Sequence, residues 1–116
     1  MLIDVWHFFN TGTAIDDLDR LPASRVAAVQ LNDGPRVHED FLHNARSTRL
    51  LPGDGDLDVI GLIGAVERLG FTGPYCVEVN YPRFRELPAT EAARQAFDMA
   101  TAVISRARSG RGDEPA

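Results

Sequence analysis

Three short apolar runs constrain this chain most. Residues 1–6, 25–31 and 74–80 are rich in Val, Ile, Leu, Ala and aromatics and are bounded by Gly, Pro, Asn or Asp, the pattern of buried strands. Between the last two lies a helical pattern. Val59, Leu62, Ile63, Val66 and Leu69 recur at helical spacing, Asp56 or Asp58 can cap the start, and Gly70 stands where a left-handed C-terminal residue belongs. A second helix is expected from about residue 90 to about residue 108, with Ala93, Ala96, Phe97, Ala100, Val103 and Ile104 as its apolar stripe. A weaker one is expected over 14–20, ending before Pro22. The order strand, helix, strand, long loop, helix, strand, helix is repeated β/α. It predicts an α/β fold with a parallel sheet and right-handed crossovers. Helix-to-strand connections are short, whereas residues 33–55 show no strong period and read as one long loop, of the kind that carries function at the mouth of a β/α barrel.

With 116 residues, 44% of them hydrophobic and 25% charged, there is material for one core of modest size. A net charge of -5, no Lys and scattered Arg argue against nucleic acid or an anionic membrane as the main partner, because both reward clustered cations. One cysteine, Cys76, excludes an internal disulfide and a Cys-rich zinc site, and reads as a small core residue within its strand. No run is long and apolar enough for a membrane span, and Met-Leu-Ile-Asp-Val-Trp-His is no signal peptide, so the expected setting is cytoplasmic. Residues 105–116 have linker composition. The expected organisation is one unit over 1–108 and a flexible tail over 109–116.

The strands carry polar residues where none is needed for a core. Side chains alternate along a strand, so Asp4 lies on one face of the first run, Gln30 shares a face with Ala28 and Asn32, and Glu78 shares a face with Cys76 and Asn80. Each run thus has one apolar face and one face with a polar group near its C-terminal end. A buried carboxylate costs several kcal/mol unless paired or bound to a metal. Asp4 and Glu78 therefore need a partner: either a cation-binding set with Gln30 and His7, oxygen-rich and suited to Mn²⁺, Mg²⁺ or Co²⁺ and compatible with Zn²⁺, or backbone amides and Arg that neutralise them singly.

Asp4-Val-Trp-His7, Val29-Gln30-Leu-Asn-Asp33, Leu51-Pro-Gly-Asp-Gly-Asp-Leu57 and Gly73-Pro-Tyr-Cys-Val-Glu78-Val together resemble the xylose isomerase-like TIM-barrel superfamily of sugar-phosphate isomerases, epimerases and inosose dehydratases. The resemblance covers about residues 1–80 and implies a partial (β/α)₈ barrel, about three C-terminal β/α units. It further implies Asp4, Gln30 and Glu78 as metal ligands, His7 and Arg36 as substrate-binding residues, and Glu78 as a catalytic proton carrier. Relatives commonly place a His where Gln30 stands. The implied chemistry is divalent-metal-dependent isomerisation or epimerisation of a sugar, sugar phosphate or polyol through an enediolate, with an inosose-type dehydratase as neighbour. A whole barrel has eight strands and about 250 residues, and its second catalytic Glu comes from a strand preceding Asp4. The chain therefore reads as incomplete for catalysis, a fragment served by a homo-oligomer or a complementary chain. An endonuclease IV type of phosphodiesterase would want more His ligands and a basic surface.

Several residues suggest less. His38 and His43 fit a solvated loop, Arg46 and Arg49 suit either a phosphate or the neighbouring acids, and Trp6, Phe8 and Phe9 suit either a sugar pocket or the core. The run Asp54-Gly-Asp56-Leu-Asp58 fails as a calcium loop, with Val59 at the sixth position and Ala65 at the twelfth. No phosphate-binding glycine motif or nucleophile elbow is present.

Overall fold

Side-chain alternation divides the sheet into a packed face and an open one. In the computed structural model, which describes residues 1–111, strands β1 (Leu2–Asp4), β2 (Ala28–Leu31) and β3 (Tyr75–Val77) pair in parallel in that order. Asp4 lies beside Gln30, and Gln30 beside Cys76. Ile3, Val29 and Leu31 point into the core, while Leu2 and Cys76 on the other face are exposed. Cys76 is therefore not a core residue. It belongs to the face that carries Asp4 and Gln30, which is open at Leu2 and Cys76 and covered at its carboxyl end by Arg49.

The elements are shorter than their apolar runs because polar side chains end them. β1 stops at Asp4, two residues early, because the Asp4 carboxylate accepts the His7 amide at 3.1 Å and starts helix α1 (Val5–Asn10). Trp6, Phe8 and Phe9 are thereby turned into the core, and Phe8 also borders the cleft beside β1. Arg25, expected to open the second strand, instead ends a 3₁₀ turn over residues 23–25 after Pro22, so that strand begins only at Ala28, and residues 15–20 form another turn in place of the weak helix. The third strand ends at Val77, before Glu78.

Helix α3 (Val59–Arg68) is capped by Asp58, which accepts the Gly61 amide at 2.9 Å. A Cβ on Gly61 would lie 2.1 Å from that carboxylate, so the cap requires glycine. Leu62, Ile63 and Val66 are fully buried, each contributing about 1.5–3 kcal/mol, and Gly70 has the expected positive φ. Helix α4 (Ala89–Arg111) packs on α3 through its second half, where Val103 and Ala107 are buried. Phe97, 70% exposed, and Ala93, also exposed, lie off the packed stripe.

The last turn of α4 is fixed by Glu67 of α3. Its carboxylate, 7% exposed, accepts from Arg108 at 2.9 Å, from Arg111, and from the Tyr75 hydroxyl at 3.2 Å. These bonds explain why the helix continues through Arg111 where a tail was expected from 109; residues 112–116 of that tail lie outside the described residues. Burial works to raise the Glu67 carboxyl, but the Arg108 bond and charge, the Tyr75 hydroxyl and the Arg111 charge outweigh it and hold the group below its ordinary value. Burial, then the adjacent Glu67 charge and hydrogen bond, push the Tyr75 phenol up.

Candidate active site at the carboxyl ends of the strands

The residue after β3, Glu78, and the last residue of β1, Asp4, turn their carboxylates toward one point. That point is occupied by the guanidinium of Arg49. Its Nη1 donates to Asp4 Oδ2 at 3.1 Å and to Glu78 Oε2, and its Nη2 lies 3.1 Å from His7 Nε2. A guanidinium only donates, so His7 presents Nε2 to it as an acceptor. Arg49 is 4% exposed, and its guanidinium lies over the Trp6 ring, 5.6 Å from the centroid. The two acids thus converge, and a single arginine neutralises both, where the alternative reading paired each one singly.

Asn32 holds the frame. Fully buried, it accepts the Trp6 amide at 2.7 Å and donates to Asp4 Oδ2 and to the Glu78 carbonyl, both at 3.1 Å. One side chain from the end of β2 therefore ties β1, α1 and the end of β3 together. Its place on the Gln30 face was legible from alternation, but its role was not, because a strand-end Asn reads as a terminator.

The loop after β2 is ordered by a second buried acid. Asp33 accepts the amides of Gly34, Gly53 and Leu57 at 2.8, 3.0 and 3.0 Å, and its backbone bridges Leu50. A Cβ on Gly55 would lie 2.4 Å from Asp33 Oδ1, so the Pro-Gly-Asp-Gly-Asp run wraps a carboxylate and does not form a cation loop. Within the stretch expected to lack structure, residues Phe41–Ser47 form helix α2, which delivers the chain to Arg49. His38, His43 and Arg46 on this stretch are exposed.

Two of the candidate residues make no hydrogen bond to the cluster among the described residues. Gln30 borders a cleft of about 550 Å³ along the free edge of β1, together with Leu2, Asp4, His7, Phe8 and Leu18. Arg36 is exposed and lies over the Phe9 ring, 5.4 Å from the centroid, and the structure does not bring it to Asp4 or Glu78.

The donor chemistry fits a divalent ion in part. Two carboxylate oxygens already share one cationic nitrogen, so they can meet at a single cation, and the Gln30 amide lies one strand from Asp4 in register. Among the described residues, no three His, Cys, Asp or Glu side chains gather for an ion.

A family model described as xylose isomerase-like TIM barrel matches residues 1–103. The chain belongs to this family. Within the xylose isomerase-like family it is 26% identical over 106 residues to an inosose isomerase of Halalkalibacterium halodurans, covering 91% of this chain and 37% of that protein. It is 30% identical over 88 residues to a 3-dehydroshikimate dehydratase of Pseudomonas aeruginosa, covering 76% and 14%. Among solved structures it resembles the IOLI protein with a binding zinc atom, with TM-score 0.82 and 25% identity over 91% of this chain and 37% of that one. A xylose isomerase domain protein from Alicyclobacillus acidocaldarius gives TM-score 0.73 and 31% identity, with 92% and 37% coverage. The chain thus spans well under half the length of these relatives. Its three parallel strands form part of the barrel fold, and no helix among the described residues is long and apolar enough to cross a membrane.

Proposed function

We propose that this chain carries the metal-binding and proton-transfer part of an isomerase or dehydratase acting on a small sugar-like ketone, in a cytoplasmic setting. The observation that carries the reading is the convergence of Asp4 and Glu78 on one cationic position at the carboxyl ends of β1 and β3. In barrels of this type that end of the sheet is where chemistry occurs. Asp4, Gln30 and Glu78 would hold a divalent ion, with Zn²⁺, Mn²⁺, Mg²⁺ and Co²⁺ all suited to such donors. When bound, the ion supplies positive charge that acidifies a C–H beside a carbonyl.

The protein groups do the rest. Glu78, whose side chain is 40% exposed, accepts that proton while the C–H electron pair moves into an enediolate. Returned to the neighbouring carbon, with the hydroxyl proton passing to the former carbonyl oxygen, the proton completes an isomerisation. Delivered to a β-hydroxyl that departs as water, it completes a dehydration. His7, which borders the cleft, would hydrogen-bond a substrate hydroxyl, and Arg36 would reach substrate oxygens by leaving the Phe9 ring. Epimerisation needs a second base on the other face of the substrate. The open sheet face supports a partner, either a second copy or a complementary chain, that completes the enclosure and supplies such a base, so that the chain alone binds metal with little turnover.

The test combines metal titration with solvent exchange. Mn²⁺ or Co²⁺ binding by calorimetry should weaken by about 100-fold or more in Asp4→Ala and Glu78→Ala. Incorporation of deuterium from solvent beside the carbonyl of an inosose or of 3-dehydroshikimate, followed by NMR, should require Glu78. Metal binding that survives both substitutions would sink the reading.

A further inference from the structure

We propose that Arg49 is an internal counter-ion that occupies the metal position, and that loading the site with a divalent ion requires its guanidinium to leave. The inference rests on the metal-binding reading of Asp4 and Glu78 and adds a competitor built into the same chain. The geometry carries it: one nitrogen, Nη1, contacts both proposed carboxylate ligands. An ion held by those same oxygens would occupy the same space.

Charge and desolvation say which occupant is the better one. Two carboxylates and one guanidinium leave a net charge of about -1, whereas two carboxylates and a divalent ion balance. An ion and a guanidinium together would give net positive charge beside the buried Asp4 and Arg49 side chains. Arg49 is also incompletely satisfied, because its Nε is buried with no hydrogen-bond partner among the described residues. A buried cation with an unmet donor is costly to keep. It remains because removing it would leave two convergent carboxylates facing each other. A divalent ion removes that reason.

The consequence reaches beyond the side chain. Leu50, the next residue, is hydrogen-bonded to Asp33 by backbone bonds of 2.9 Å in both directions. α2 lies immediately before it. Displacement of Arg49 therefore acts on a segment anchored at one end to the Asp33 loop, and it also uncovers the face of Trp6.

Trp6 is the single tryptophan of the chain, which makes its fluorescence a direct report on the guanidinium above it. Zn²⁺, which does not quench by paramagnetism, is the probe, added to the full 116-residue chain with binding followed in parallel by calorimetry. The expected results are a change in Trp6 emission that saturates with Zn²⁺ binding in the wild type, and affinity in Arg49→Met at least about tenfold tighter, equivalent to 1.4 kcal/mol. Arg49→Lys, which keeps a cation, should stay near the wild type. Calorimetric Zn²⁺ binding with no change in Trp6 emission would overturn the proposal on the wild type alone, so it does not depend on whether Arg49→Met folds. Equal or weaker binding by a folded Arg49→Met would also overturn it while leaving the metal reading intact. Failure of both proteins to bind Zn²⁺ overturns the proposal and removes the metal reading with it.

Discussion

Two carboxylate–arginine clusters lie at opposite ends of this sheet, and their charge counts are reversed. At the amino ends of the strands one carboxylate, Glu67, is served by two arginines and a phenol. At the carboxyl ends two carboxylates, Asp4 and Glu78, share one arginine. The cations also differ in setting: Arg108 is 58% exposed, while Arg49 is buried. A cluster with surplus cation and a single buried acid is electrostatically closed and serves to clamp α4 to α3. A cluster with surplus acid around a buried cation retains attraction for more positive charge. That contrast matches the usual division of labour in β/α barrels, with stability at one end and chemistry at the other.

The comparison can be attacked by substitution. The largest effect is expected at Asp33, which orders the mouth without belonging to either cluster. Asp33→Ala leaves three amides unpaired and should cost about 3 kcal/mol of unfolding free energy in urea; a loss below about 1 kcal/mol would mean that water replaces the carboxylate. Next is the clamp. Glu67→Gln should cost about 1 kcal/mol at neutral pH, because the Arg108 charge is mostly exposed and screened and the amide can still bond its partners, and should leave metal binding unchanged. Its pH signature is more telling. Since folding lowers the Glu67 pKa from 4.5, its stabilisation is present above that value and is lost as pH falls through the lower folded one. The wild type should therefore lose stability in acid along a limb that Glu67→Gln lacks, as urea midpoints at a series of pH values would reveal. The smallest change sharpens the mouth: Gln30→His exchanges an amide for an imidazole and should tighten Zn²⁺ binding by about threefold, under about 1 kcal/mol, measured by calorimetry. An unchanged affinity would remove Gln30 from the ligand set.

Much of this architecture was legible in the sequence, and for identifiable reasons. Alternation along three runs separated Ile3, Val29 and Leu31 from Asp4, Gln30 and Glu78, because a strand has only two sides. The cap at Asp58 and the turn at Gly70 were local and equally legible. What escaped was set by contacts distant in sequence. Asn32 and Arg49 act on Asp4 from 28 and 45 residues away, and no local pattern distinguishes them from a strand terminator and a surface cation. α2 was hidden because its amphipathic face is narrow, with only Ala45 buried. The exposure of Phe97 was hidden because apolar spacing cannot tell which half of a long helix finds a neighbour. Arg36 was named from its position relative to Gln30, and in the fold an aromatic ring holds it instead.

The span of the contacts that build the mouth also bears on the order in which the chain folds. The sheet contains no hairpin; β1 meets β2 and β2 meets β3 only through crossovers, so every strand pair must close a large loop before it gains anything. The Arg49 bonds close loops of 45 and 29 residues at once, and the Asn32 bond to Glu78 spans 46. A partly folded chain in which α3 has docked on α4 would already possess the Glu67 clamp. It would possess no mouth until all three strands were in register, so the carboxyl end of the sheet should be the last part to assemble and the first to disappear when the fold begins to fail.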